Sequence, residues 1–223
     1  MRFKLSPSSI SLMAECPRCF WLEKHEAWSR PSGIFPSLPS GMDRILKIHF
    51  DNFREKEKLP PELCNQAHCE NLALFGSNEE EKQLLEIWRN NKKGVSFTDE
   101  KGNILRGAVD NLLVKEKKLI VLDYKTRGFP VKEDTAARSK NQLDIYNFLL
   151  RKNGYETEDY SFLLFYVPKE VLETGEVVFD TELVKMPVDV ESAESLWKKA
   201  LKLLNGPCPA EKCEWCECVE CKD

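Results

Sequence analysis

Apolar residues recur at helical spacing in five parts of the chain, and each part is bounded by polar residues, glycine or proline. Residues that return every three or four positions share one face of a helix, and an apolar face packs against a core. The pattern predicts helices over residues 6–24, 41–56, 78–91, 135–153 and 190–205. The proline- and serine-rich stretch between the first two predicts a loop.

The middle of the chain is instead rich in β-branched and aromatic residues, which favour strands. These runs predict strands over residues 95–98, 104–114, 119–124, 160–167 and 176–185. The connections between the first three are short and polar, so these strands are expected to form a meander. Together the elements predict an α/β fold: a mixed central β-sheet flanked by helices, in a single domain over residues 1–223.

Composition narrows the class of protein. No stretch reaches the roughly 18–20 apolar residues of a membrane-spanning helix, and the N-terminus lacks the apolar centre of a signal peptide. We therefore expect a cytoplasmic protein with no membrane partner. The formal net charge of −4 argues against a protein that coats nucleic acid. It still allows an enzyme that holds a short stretch of nucleic acid in a local basic groove.

Two aspartates fall on neighbouring predicted strands. If those strands pair as a hairpin, Asp110 lies directly opposite Asp123, with Cβ atoms roughly 4.5–5.5 Å apart. The rest of this face is apolar, and two buried carboxylates repel each other unless a cation neutralises them. A hard divalent cation accepts oxygen ligands at such spacing. Lys125 is on the same face and would position water or offset phosphate charge; a solvated ion pair is the alternative.

Two further polar residues share a face of the helix predicted over 135–153. Gln142 and Tyr146 are four positions apart, and Leu149 and Leu150 continue the same face inward. A glutamine on an inward face needs a polar target, which the predicted carboxylate site would provide. The alternative is a boundary residue whose amide lies in water.

Nine cysteines are many for an intracellular chain, and an odd number cannot all form disulfides. Two C-x-x-C pairs lie near opposite termini: Cys16 with Cys19, and Cys213 with Cys216. If the pairs meet, they form a four-thiolate metal site. Such a metal clasp would join residues 1–24 to residues 206–223, and tetrahedral zinc would suit its ligand count.

These motifs, taken in order, resemble the RecB-like branch of the PD-(D/E)XK nuclease superfamily. GAVDNLLV at 107–114 resembles the G-x-x-D strand of that branch, and VLDYKT at 121–126 resembles its D-x-K strand. QLDIYNFLL at 142–150 resembles its Q-x-x-x-Y helix. The N-terminal stretch 5–22 resembles the cysteine helix of iron–sulfur members, including CRISPR-associated exonucleases and the nuclease domains of recombination helicases.

The resemblance implies a restriction-endonuclease-like core and hydrolysis of DNA by metal-activated water. Asp110 and Asp123 would hold Mg²⁺ or Mn²⁺, and the carbonyl of Tyr124 would be a further ligand. Lys125 would be the catalytic lysine.

The resemblance also assigns roles to the helical pair, and this chain departs from the family pattern at one position. Gln142 and Tyr146 would support the site or contact the substrate strand. The family usually has a histidine or glutamate on an early helix, shortly after a glycine. Here Gly41 is followed by Asp43, which we keep as a candidate ligand, although it can pair with Lys47. His49 falls on an apolar stripe and is expected to be a core residue.

For the cysteines, the resemblance implies a 4Fe–4S cluster, with zinc as the alternative. Iron–sulfur relatives usually use one N-terminal and three C-terminal cysteines, so a competing set is Cys16, Cys208, Cys213 and Cys216. Cys218 and Cys221 are also available in the tail. Cys64 and Cys69 are expected to be unrelated thiols.

The implied partner is DNA, with a single-stranded end as the expected substrate. The basic residues Arg127, Lys132, Arg138 and Lys140, with the nearby Phe129, could hold a phosphate backbone and stack a base, or simply be solvated. Protein partners in a repair, recombination or CRISPR complex are also implied. Two rivals remain: an inactive nuclease fold that binds DNA or a partner, and a small structural adaptor with an iron–sulfur or zinc site.

Overall fold

In the computed structural model, which describes residues 2–34, 36–64, 66, 68–132 and 134–220, the N-terminal segment forms two helices: α1 (Pro7–Glu15) and α2 (Pro17–Lys24). The single helix expected over residues 6–24 is wrong. Cys16 is extended, with φ −154° and ψ 105°, because the following Pro17 disfavours helical backbone at this position. The Cys16 side chain then caps α2 by accepting a hydrogen bond from the amide of Cys19.

Three further helices follow: α3 (Ser37–Arg54), the single-turn α4 (Pro61–Cys64) and α5 (Glu79–Arg89). Helices α3 and α5 confirm two predicted helices, and α3 begins inside the predicted loop. Its buried face carries Met42, Leu46 and Phe50. Ile45 is exposed because it lies roughly 100° round the helix from the middle of that face. Ile87 of α5 is exposed as well.

Eight strands in the described residues form two sheets. They are β1 (Lys4–Leu5), β2 (Leu72–Leu74), β3 (Val95–Thr98), β4 (Ile104–Gly107), β5 (Asn111–Lys115), β6 (Lys118–Thr126), β7 (Tyr160–Val171) and β8 (Val177–Pro187). The larger sheet has the order β2-β5-β6-β7-β8, in which β6 and β7 are parallel and the other pairs antiparallel. This mixed sheet confirms the predicted fold class.

The strand expected over residues 104–114 is broken, so the predicted meander is wrong. Its first half, β4, belongs to the small sheet β1-β4-β3, and its second half, β5, belongs to the large one. The C-terminal end of α5 holds the bend between them. The carbonyl of Trp88 accepts a hydrogen bond from the amide of Val109, and Arg89 donates to the carbonyl of Asp110. Asp110 therefore lies on a bend just before β5.

Helices cover both faces of the large sheet, because alternate residues of β5 and β6 enter different cores. Leu112 and Val121 belong to the core that includes α6 (Lys140–Lys152) and α7 (Val190–Leu204). Leu113 and Ile120 belong to the core that includes α3. Both α6 and α7 were predicted, and a 3-10 helix, Ala136–Ser139, precedes α6. No helix in the described part of the chain has the length and apolar character to cross a membrane.

Candidate metal and active site

The hairpin of β5 and β6 brings two aspartates together at its open end. The ladder ends at the pair Asn111 and Leu122, so the next residues in register are Asp110 and Asp123. Asp110 Oδ2 accepts a hydrogen bond from the amide of Tyr124 at 3.0 Å, which directs its carboxylate across to β6. The two acids therefore face each other, as the alternation of the sequence predicts.

Burial makes this pair costly to ionise. The Asp123 residue is 1% exposed, and burial raises its pKa to about 7, with the Asp110 carboxylate adding to the rise. Burial also raises the pKa of Asp110, which the nearby Lys47 opposes. Two carboxylates in this state bind protons or cations more readily than ordinary surface acids.

Lys125 and Gln142 form a closed network with Asp123. Lys125 Nζ lies 2.5 Å from Asp123 Oδ2 and donates a hydrogen bond to Gln142 Oε1 at 3.0 Å. The Gln142 amide nitrogen donates to Asp123 Oδ1 at 3.1 Å and to the hydroxyl of Tyr146 at 2.7 Å. The polar target that Gln142 requires is thus the carboxylate site, and the alternative of an amide in water does not hold.

Helix α3 contributes a third acid and a second amine. Lys47 Nζ lies 2.8 Å from Asp43 Oδ2 and 3.4 Å from Asp110 Oδ1, so it bridges the two carboxylates. The spacing of Asp43 and Lys47 predicts their pairing, but nothing in the sequence predicts that Lys47 reaches Asp110. His49 is not a fully buried core residue. Its ring is 37% exposed and contacts the Glu62 carboxylate at 3.0 Å.

Two buried arginines support the aspartate bend and were missed by sequence reasoning. Arg89 Nε donates to the Asp110 carbonyl at 2.9 Å. Arg54 donates to Asn111 Oδ1 at 2.7 Å, and the Asn111 amide donates to the hydroxyl of Tyr124 at 2.7 Å. The one signal available in the sequence was an arginine near the C-terminal end of each of the two helices predicted over residues 41–56 and 78–91. These contacts hold both sides of the bend in place.

A glycine allows α6 to approach the small sheet closely. A Cβ atom added to Gly107 would lie 2.6 Å from Cε1 of Tyr146, which is too close for real atoms. The glycine at this position therefore makes room for the ring whose hydroxyl holds Gln142.

The donors at this site fit a hard divalent cation. Asp43, Asp110 and Asp123 offer carboxylate oxygens, the ligands that Mg²⁺ prefers. Asp123 Oδ2 is buried, and its partner is the Lys125 amine at 2.5 Å. The buried carboxylates of Asp110 and Asp123 repel each other, which favours the binding of a cation at this site. The Lys47 and Lys125 amines offset part of the negative charge.

The two C-x-x-C pairs meet in space. The sulfur atoms of Cys16, Cys19, Cys213 and Cys216, here called the cysteine group, all lie within 4.8 Å of one another. The competing set with Cys208 in place of Cys19 is not the set that the structure assembles, because the turn at the start of α2 presents both of its cysteines. Cys208 packs beside the group, and Cys221 lies outside the described residues.

Cys64 and Cys69 are separate from this group. Cys69 is buried in the core beneath α3, and the exposed Cys64 donates to the carbonyl of Leu59.

The basic residues after β6 have mixed surroundings. Lys140 Nζ lies 2.5 Å from the buried carboxylate of Asp144, so its charge is engaged within α6. Arg138 is exposed, with a long contact of 3.7 Å to Asp134. Phe129 is 77% exposed. An exposed ring and an exposed arginine in the segment after β6 are compatible with binding a base and a phosphate.

A comparison with family models identifies the family of this chain. Residues 4–222 match the family model described as PD-(D/E)XK nuclease superfamily. A comparison with curated proteins finds no match. Among solved structures, the crystal structure of SSO0001 matches with 14% sequence identity and a TM-score of 0.43, covering 93% of this chain and 79% of that chain. A similarity of that size carries no argument about function.

Proposed function

Because this chain belongs to the PD-(D/E)XK nuclease superfamily, we propose that it is a metal-dependent deoxyribonuclease that hydrolyses phosphodiester bonds. Members of the superfamily are usually nucleases that use divalent metals. The finer proposal is exonucleolytic cleavage at single-stranded DNA ends, which follows the RecB-like motifs of the sequence.

One observation carries the proposal: the Lys125 amine lies beside a buried ligand oxygen of Asp123 and is fixed by Gln142. A Mg²⁺ or Mn²⁺ ion held by Asp110, Asp123 and the Tyr124 carbonyl, with Asp43 as a candidate further ligand, would supply an activated water and polarise the phosphate.

In this proposal the side chains of the chain itself orient the reaction. Lys125 stabilises the negative charge that develops on the phosphate and holds the attacking water by a hydrogen bond. Gln142 accepts a hydrogen bond from that amine, and Tyr146 accepts one from Gln142, so the amine has little freedom to turn away. Such fixed positioning is what an active site requires.

A groove beside Gln142 supports a single strand as substrate. It has a volume of about 400 Å³ and is lined by α1 on one side and by Arg138 and Gln142 on the other. The Ser8 hydroxyl and the Arg138 guanidinium offer a hydrogen bond and positive charge to phosphates, whereas the Ser11 hydroxyl already donates to the carbonyl of Pro7.

The proposal is tested by incubating the purified full chain with labelled DNA and Mg²⁺ or Mn²⁺, with and without chelator. Linear single strands, circular single strands and duplexes separate end-directed from internal cleavage and reveal strand preference. We expect shortening of linear single strands that chelator abolishes. Cleavage of circles would overturn the exonuclease proposal, and DNA binding without cleavage under all metals would overturn the nuclease proposal.

Matched lysine variants test the assignment of the catalytic amine. Lys125→Ala should lower the rate by roughly 10²-fold or more, as expected when a group acting on the transition state is lost. Lys117→Ala removes an exposed lysine from the turn at the opposite end of the same hairpin and should leave the rate unchanged. Equal rates for the two variants would remove Lys125 from the proposed mechanism.

The resemblance to iron–sulfur and CRISPR-associated members extends the proposal to a protein partner in a repair, recombination or CRISPR complex. Affinity capture of the full chain, followed by identification of bound proteins, tests this part. Recovery of a partner that alters the cleavage rate would support it, and a chain that remains alone would contradict it.

A further inference from the structure

The spacing of the four sulfur atoms in the cysteine group limits what can lie between them. The sulfurs of Cys19 and Cys213 are 3.5 Å apart, those of Cys213 and Cys216 are 3.8 Å apart, and those of Cys16 and Cys216 are 3.9 Å apart. All six separations are within 4.8 Å. The four sulfurs thus form a compact tetrahedron.

A single tetrahedral ion fits this spacing. A zinc–sulfur bond of about 2.3 Å places the corners of a regular tetrahedron roughly 3.8 Å apart. A 4Fe–4S cubane would instead separate its thiolate ligands by roughly 6 Å, because four irons stand between them. The cluster that the motif resemblance implies therefore does not fit the sulfur positions of this chain.

We propose that the cysteine group binds one zinc ion through four thiolates and serves a structural role. Four cysteine ligands in two C-x-x-C pairs are typical of structural zinc sites, which have no open coordination position. Zinc also binds such ligands more tightly than ferrous iron does in the usual order of divalent metals. This inference is independent of the proposed nuclease activity.

Four thiolates around one dication carry a net charge of −2, and the surroundings of the cysteine group can accommodate that charge. The amide of Cys19 donates to the sulfur of Cys16, and the amide of Cys213 donates to that of Cys216, each at 3.4 Å. Arg30 approaches the Cys213 sulfur at 3.7 Å. These donors disperse negative charge and fix the ligands, as outer contacts of metal sites do.

The structural role follows from what the group joins. Cys216 is fully buried, and Cys16 and Cys19 are nearly so. Arg18 of α2 donates to the tail carbonyls of Pro209 and Val219, at 2.7 and 2.8 Å. The site thus lies where α2 and the C-terminal tail already contact each other, and an ion bound there locks that contact.

The decisive experiment measures the metal in the full chain purified without oxygen, so that an oxygen-sensitive cluster would survive. We expect one zinc per chain, no acid-labile sulfide, no thiolate–iron absorbance in the visible range, and an X-ray absorption spectrum with four sulfurs at one distance. About four irons with sulfide would overturn the proposal, and one iron without sulfide would overturn the choice of zinc.

Cysteine variants test the ligand set by the same measurement of zinc. Cys19→Ser should lower zinc content from one per chain to near zero, whereas the exposed, separate Cys64→Ser should retain the full amount. Full zinc content with four sulfur ligands in Cys19→Ser would overturn the set. Zinc titration of denatured and refolded wild-type chain, which should recover one equivalent, keeps the test valid if a variant does not fold.

Discussion

The buried carboxylate of Asp123 is expected to destabilise the metal-free protein above neutral pH. Replacing Asp123 with asparagine, which is uncharged and similarly shaped, allows this loss of stability to be measured. Burial raises the pKa of this carboxyl from 3.8 to about 7. A difference of that size corresponds to roughly 4 kcal/mol of free energy against the charged form. Asp123→Asn removes the charge, so this value is an upper estimate of the stability gained at alkaline pH.

The gain depends on pH in a defined direction. The pKa of Asp123 is higher in the folded state than in the unfolded state. The stability associated with the protonated carboxyl is therefore fully present below pH 3.8 and is lost as the pH rises through about 7. The difference in free energy of unfolding between variant and wild type should therefore be small near pH 4 and largest above pH 7.

The assay is thermal or denaturant unfolding in the presence of chelator at several pH values. At about pH 8 the variant should melt higher by on the order of 10 °C at most. Added Mg²⁺ should stabilise the wild type but not the variant, which should also lose cleavage. Asp134→Asn, at an exposed position, is the matched control and should change neither the melting temperature nor the cleavage of DNA. Lower stability of Asp123→Asn at pH 8 without metal would show that pairing with Lys125 outweighs burial and would refute the reasoning.

Two further predictions test the supports of the site. Gly107→Ala should lower the cleavage rate at least about tenfold, because the new methyl group would displace the Tyr146 ring. Gly128→Ala, whose new Cβ would meet no atom within 4 Å, should leave the rate unchanged. Equal rates for the two variants would refute this role of Gly107. Lys47→Met should tighten Mg²⁺ binding severalfold in calorimetry, because the amine no longer competes for the oxygen of Asp110; weaker binding would show that Lys47 is needed to hold that carboxylate in place.

The parts of the site that could be predicted depend on local periodicity. The two-residue period of strands places Asp110 and Asp123 on one face, and the helical period places Gln142 above Tyr146. The two C-x-x-C pairs likewise carry their own spacing. In each case a short stretch of sequence fixes which side chains point the same way.

The parts that could not be predicted depend on how distant elements meet. Lys47 reaches Asp110 only because of where α3 crosses the sheet. The strand expected over residues 104–114 breaks because α5 binds the backbone of Val109 and Asp110, a contact that periodicity does not contain. The break between α1 and α2 is different, because the sequence does contain a signal for it. Pro17 disfavours helical backbone at Cys16, but the apolar spacing across this position favoured the prediction of one continuous helix.

The closure of the cysteine group has a consequence for biogenesis. Cys16 and Cys216 are separated by 200 positions in the chain. During translation the first pair of thiols leaves the ribosome well before the second is synthesised, so over that interval the nascent chain carries only half of the cysteine group. A polypeptide that ends before residue 213 lacks two of the four cysteines, so under the zinc proposal it would not retain the ion. Metal binding would then couple the folding of the N-terminal helices to the synthesis of the segment that carries Cys213 and Cys216.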